Sequence, residues 1–239
     1  MSNSFFKFKE FTVHQDKTAM KVCTDACLFG AWVAKQIEIL DLKNILDIGT
    51  GTGLLALMLA QSSRAKIDAV EINELAAEQA AANFCNSPWN NQLYVHQMSI
   101  NRFTQEQNKP YDFIISNPPF FENQLKSQQQ ERNLAMHSDS LSLEELASCI
   151  FKLLADTGKA AILLPWNRAE EWKTIAEKTG LFCIKETAVK QSNTHSYFRI
   201  MFLLQKKAIP SKVDTITIKE GNNYSEAFTQ LLAPYYLAL

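Results

Sequence analysis

Glycine is scarce in this chain, with seven residues in 239, and no low-complexity segment or internal repeat is present. The five cysteines, Cys23, Cys27, Cys85, Cys149 and Cys183, form no C-x-x-C pair. An odd count without that spacing excludes a disulfide framework and a cysteine-ligated zinc centre. Cys23 and Cys27 stand four apart, but no His or third Cys is placed to complete a metal shell. Free thiols in a reducing cytosol, and no metal, are therefore expected. No apolar run approaches the roughly 18 residues of a membrane span. The opening MSNSFFKFKEF lacks the apolar core of a signal peptide. The expectation is a cytoplasmic protein with no membrane partner. A formal net charge of -1 excludes a globally basic nucleic-acid binder, so any such footprint must be local.

What is present is 46% hydrophobic and 21% charged, ordinary for a chain that buries a sizeable core. The pattern is regular. FKFKEFTVHQ alternates apolar and polar residues and predicts an edge strand or hairpin. Thr24 is placed to cap a helix running to about Ile39. NILDI, KIDAVEI, LYVHQM, YDFIIS and KAAILLP then read as short apolar strands. Helices are predicted over 54–60, 74–84, 142–154 and 167–179. Near-continuous apolar strands alternating with helices mean an α/β, doubly wound, mostly parallel sheet. Two longer strands, near 181–189 and 196–205, are separated only by KQSNTHS and predict an antiparallel edge hairpin. A short strand and a helix close the chain. One domain over 1–239 is expected: hairpin and helix at 1–40, core at 43–205, strand and helix at 206–239. The polar stretch from Phe120 to Ser140 is the anomaly, since a loop that long usually has a function or is disordered.

LDIGTGTG puts Gly49, Gly51 and Gly53 at a strand-to-helix turn, with Asp47 before them. Residues without Cβ let backbone pass close to a ligand. Pyrophosphate binding needs G-x-G-x-x-G. Here the spacing is G-x-G-x-G, and the carboxylate of Asp47 would repel a pyrophosphate. That acid suits a ligand with a cationic amino group. Glu71 ends the following strand, where a carboxylate can take both hydroxyls of a ribose. At the end of YDFIIS stands Asn117-Pro118-Pro119-Phe120. A stop signal explains one proline but not the flanking amide and ring. The Asn117 side-chain oxygen and the Pro118 carbonyl are two acceptors on rigid backbone, and Phe120 offers a face for stacking. This suits a planar, amino-bearing substrate.

As a set these motifs resemble class I S-adenosylmethionine-dependent methyltransferases, and within them the group that methylates exocyclic or amide nitrogens. The flanking segments MKVCTDACLFGAW, NLAMHSDSLSLEEL, YFRIMFLL and ITIKEGNNYSEAFTQLLAPYYL are similar to the bacterial tRNA1(Val) (adenine-N6)-methyltransferase family, over essentially the whole chain. The resemblance implies a seven-stranded Rossmann-like sheet with small N- and C-terminal additions, S-adenosylmethionine as cofactor and tRNA as partner. It implies that Asp47, Gly49, Thr50, Gly51 and Gly53 line the cofactor's methionine end. Glu71 and Ile72 would hold the ribose, Met98 and Ser99 the adenine, and Thr24 and Leu28 would close over the amino acid. At Ser99 relatives often carry an acid, so this chain departs there. Asn117, Pro118, Pro119 and Phe120 would be catalytic, with Asn117 also near the cofactor.

Other readings remain open at this level. The same chemistry on an rRNA or DNA base, or on a protein glutamine, would use the same motif. A nicotinamide oxidoreductase fails on glycine spacing, and an inert RNA-binding module on the intact acids. His14, His96, His137 and His195 are scattered, and Arg199 reads as a structural ion-pair residue. Surpluses of positive charge over 1–21 and 185–226 are the candidate phosphate contacts. Oligomeric state is not encoded visibly; a monomer is the default.

Overall fold

The protein is described from a computed structural model, which defines residues 3–18, 20–107, 109–119 and 141–239. The long polar stretch and Phe120 lie outside the described residues. A hairpin of β1 (Phe5–Lys7) and β2 (Thr12–His14) precedes helix α1 (Thr24–Ile37). The central alternation follows: β3 (Asn44–Ile48), α2 (Leu54–Ser62), β4 (Lys66–Glu71), α3 (Glu74–Cys85), β5 (Leu93–Gln97), α4 (Ile100–Glu106) and β6 (Tyr111–Ser116). Then come α5 (Leu143–Leu153), β7 (Leu154–Pro165), α6 (Ala169–Thr179), β8 (Phe182–Ser192), β9 (Tyr197–Gln205), β10 (Lys212–Glu220), β11 (Asn223–Tyr224) and α7 (Glu226–Leu232).

The large sheet runs β11-β10-β8-β9-β7-β6-β3-β4-β5. All its pairs from β5 to β7 are parallel, and β9 lies antiparallel between β7 and β8. The expected late hairpin is therefore present. The C-terminal addition covers it: β10 pairs parallel with the outer side of β8 and carries β11, extending the seven expected strands to nine. Alternation along each strand separates two apolar cores. Ile45, Phe113, Ile115, Leu163 and Met201 face one, with α1, α2, α3 and α7. Leu46, Ile114, Ile162, Leu164 and Phe202 face the other, with α5 and α6. Burial on both faces is why these strands are apolar at nearly every position.

Helix starts follow local hydrogen-bonding chemistry. Ser142 and Glu145 form a reciprocal capping box for α5, and Asn73 accepts from the Ala76 amide to start α3. Thr24 does not cap α1; the N-cap is Cys23, which makes no side-chain bond, and Thr24 is the first helical residue. Helix α4 has no counterpart in the sequence reading. Its signal was Ser99, whose hydroxyl accepts from the Arg102 amide at 3.3 Å.

The N-terminal hairpin is seated by buried amides. The Asn83 Oδ1 accepts from the His14 amide at 3.0 Å, and its Nδ2 donates to the carbonyls of His14 and Thr52, both at 2.9 Å. Gln79 accepts from the Lys17 amide, and Gln15 from that of Val22. One side chain on α3 thus ties the hairpin to the glycine turn. Truncating it leaves buried backbone groups without partners. Asn83→Ala is expected to lower unfolding free energy by about 2–4 kcal/mol, read by urea denaturation. A change under about 0.5 kcal/mol would show that the bonds are replaced by solvent.

Candidate active site

The ends of β3, β4 and β6 meet at one edge of the sheet. Ile48 is in register with Val70 on one side and Ser116 on the other. Helices after β3 and β6 leave toward opposite faces, which opens a crevice at the carboxyl ends of the strands. Ser116 closes the floor by donating from its hydroxyl to the Ile48 carbonyl at 2.9 Å.

Gly49, Gly51 and Gly53 all have positive φ, at 72°, 56° and 82°. The first two leave open space where a side chain would stand, with nothing within 4 Å of an added Cβ. Gly53 is different: a Cβ there would come 2.4 Å from the Phe84 ring, so this glycine serves close packing of the turn on α3. The turn's amides are not free for phosphate. Those of Gly49 and Thr50 donate to the Val70 carbonyl, that of Gly53 to Thr50, and that of Gly51 to Glu71 Oε2 at 2.9 Å. Glu71 Oε1 accepts from the Asn73 amide at 2.9 Å. Its carboxylate is therefore fixed in orientation, with further lone pairs left to accept from hydroxyls.

Asp47 is wholly buried. Its Oδ2 accepts from the Thr50 hydroxyl at 2.6 Å, while Oδ1 has no partner within hydrogen-bond geometry, though the Ala56 amide in the first turn of α2 faces the carboxyl. Across the sheet, Asn117 Oδ1 is likewise buried without a partner. Buried acceptors are ordinarily satisfied. Two orphans flanking one crevice, beside open space over Gly49 and Gly51, are what a ligand bearing amino donors would complete. These residues fit S-adenosylmethionine, with its ammonium and ribose hydroxyls.

The remaining expected residues are dispersed. Pro118 is buried and Pro119 exposed at the end of β6. Thr24 is exposed, Ile72 stands 51% exposed beside Glu71, and the Met98 amide donates to the Glu71 carbonyl at 3.0 Å. Ser99 is partly engaged as the cap of α4. Leu28 is buried within the core cluster. Arg199 donates to Asp25 at 2.8 Å, the ion pair expected for it. Asn83, which holds the Thr52 carbonyl of the turn from behind, was missed because it belongs to no local motif.

Burial raises the Asp47 carboxyl to about 7, with the Thr50 hydroxyl and the Ala56 amide opposing the rise and the nearby Glu71 charge adding a little to it. A carboxyl that holds its proton more tightly folded than unfolded stabilises the fold below its unfolded value of 3.8, and that contribution is lost as pH rises through about 7. The cofactor-free Asp47→Asn variant should therefore gain on the wild type as pH climbs from about 4 to 8, by up to about 4 kcal/mol. Urea unfolding at pH 4.5 and pH 8 reads the difference; a gap constant with pH would show that Asp47 does not titrate with folding.

Comparison with known proteins agrees with this geometry. Residues 31–142 match the methyltransferase small domain family. A tRNA1(Val) (adenine(37)-N6)-methyltransferase of Cytophaga hutchinsonii is 42% identical over the full length of both chains. One from Trichodesmium erythraeum is 42% identical over 99% of each. Among solved structures, a predicted O-methyltransferase of Agrobacterium tumefaciens superposes with TM-score 0.66 at 15% identity, covering 88% of this chain and 96% of that one. A glycopeptide N-methyltransferase complexed with S-adenosyl-L-methionine gives 0.57 at 9% identity, covering 77% and 95%. Those two likenesses are of fold. The similarity at 42% identity runs from end to end, and the chain belongs to the tRNA1(Val) (adenine(37)-N6)-methyltransferase family.

Proposed function

We propose that this protein transfers a methyl group from S-adenosylmethionine to the exocyclic N6 amine of an adenine in tRNA, the purine beside the anticodon of tRNA1(Val). The observation that carries the reading is the buried, unpartnered Asn117 oxygen at the end of β6, one strand from the unpartnered Oδ1 of Asp47. The names of the full-length relatives supply the substrate. S-adenosylmethionine, when bound, supplies a methyl group activated by a positive sulfonium.

The chain's own residues then have separable tasks. Asp47 and Glu71 would hold the cofactor's ammonium and ribose, with Ile72 beside the ribose, Met98 and Ser99 beside its base, and Thr24 at the start of α1 nearby. The adenine amine is a weak nucleophile because its lone pair is delocalised into the ring. The Asn117 Oδ1 and the Pro118 carbonyl accept its two N–H groups and draw the nitrogen toward a tetrahedral shape. Proline fixes the direction of the second acceptor. Preorganised dipoles of this kind act where charge develops and need no reorganisation in the reaction. After transfer the nitrogen is cationic and acidic, so its proton leaves to water without a strong base. Phe120, expected to stack on the base, follows directly in the sequence.

Asn117→Ala should leave cofactor affinity near wild type and cut single-turnover methyl transfer on unmodified tRNA by about 10²-fold or more. Asn117→Asp, which keeps an acceptor, should retain intermediate activity. Retention of most of the rate in the alanine variant would remove Asn117 from the chemistry. Glu71→Ala should weaken cofactor binding by about 1.5–3 kcal/mol by calorimetry; unchanged affinity would relocate the ribose site. Nucleoside mass spectrometry of tRNA from cells with and without the gene tests the substrate, since N6-methyladenosine in tRNA must depend on it.

A further inference from the structure

Beyond the crevice, the same end of the sheet carries an uncovered aromatic. Ser116 is in register with Ile162, and β7 continues three residues further to Pro165, paired there with Arg199 of β9. Trp166 follows in a short 3-10 turn, and Tyr197 opens β9 from the same end. β7 lies one strand from the catalytic β6 and β9 two, about 5 and 10 Å across the sheet. Trp166 is 41% exposed, whereas Trp32 and Trp172 are buried at 2% and 0% and Trp89 packs against the core. Its ring centroid lies 4.7 Å from that of Tyr197, tilted by 40°. The tilt keeps the rings from lying flat on one another. Lys190 stands across from Tyr197 in register, its Nζ 4.5 Å from the ring centroid. Among the described residues it meets no carboxylate within ion-pair distance.

Lys190 is the cation set beside the pair: Arg199, at the same end, is engaged by Asp25, whereas Lys206 and Lys207 follow the far end of β9 and Lys212 opens β10 there. The turn from Gln191 to Ser196 is polar throughout, and Asn193, Thr194 and His195 are exposed. An exposed tryptophan supported by a tyrosine and flanked by an unpaired lysine has the elements of a stacking site for single-stranded nucleic acid.

We propose that Trp166, Tyr197 and Lys190 form a nucleotide platform beside the catalytic crevice: an unpaired base flanking the target adenine stacks on Trp166, and its phosphate is neutralised by Lys190. This rests on the reading of the chain as an RNA methyltransferase. Enzymes that must present a base to a pocket commonly grip the neighbouring nucleotides.

The test uses full-length protein and an unmodified anticodon stem-loop RNA. Trp166→Ala should raise KM and Kd for the RNA by about tenfold, with a much smaller change in kcat and wild-type cofactor affinity. Trp166→Phe should recover most of the loss. Lys190→Gln should reduce the slope of log Kd against log salt by about one, which a merely structural role would not do. Stem-loop RNA should quench the emission of Trp166, a signal absent from Trp166→Phe, and a loopless duplex should not. A wild-type KM in Trp166→Ala together with an unchanged salt slope in Lys190→Gln would overturn the platform. A wild-type enzyme that binds the stem-loop without methylating it would overturn the functional reading and leave the binding result to judge the platform.

Discussion

A carboxylate buried in the middle of a sheet is the constraint around which this end of the protein is arranged. Asp47 has one oxygen bound by a hydroxyl and one unmet, with no exposed surface. Such a group costs stability unless something positive arrives. The glycine turn leaves open space at Gly49 and Gly51, and its amides are committed to Val70 and Glu71 of β4 and to Thr50. The crevice is thereby poor at holding phosphate.

That arrangement demands rigidity from several strands at once. Glu71 is held by the amides of Gly51 and Asn73, so the end of β4 and the turn after β3 move together. Ser116 locks β6 to β3 in the same way. Behind them, Asn83 links the turn to a hairpin more than sixty residues earlier in the chain. The C-terminal segment completes the brace: the Tyr235 hydroxyl donates to the Met58 carbonyl, and its own carbonyl accepts from the Lys9 amide. Both terminal additions thus support the core from the face carrying α1 and α2, while the opposite face has its own apolar cluster. The mouth of the sheet remains for ligands, with the aromatic pair at Trp166 and Tyr197 set beside it.

The sequence by itself determined the alternation of elements, because doubly buried strands must be apolar at nearly every position and their helices carry legible starts such as Ser142 with Glu145. It also determined the chemical inventory: Asp47, the three glycines, Glu71 and Asn117 are local motifs readable by spacing. Helix α4 escaped because it is one short stretch of seven residues whose only signal is its cap. Thr24 misled because a hydroxyl next to a helix start is a cap only in the right dihedral state, and Cys23 occupies that position. Tertiary structure alone decided what lies between distant segments. Placement of β10 outside β8 depends on long-range pairing that no local pattern encodes. The tie from Asn83 to the turn, the sealing of Leu28 in the core and the meeting of Trp166 with Tyr197 are contacts between residues far apart in the chain, set by how the faces pack rather than by neighbouring sequence.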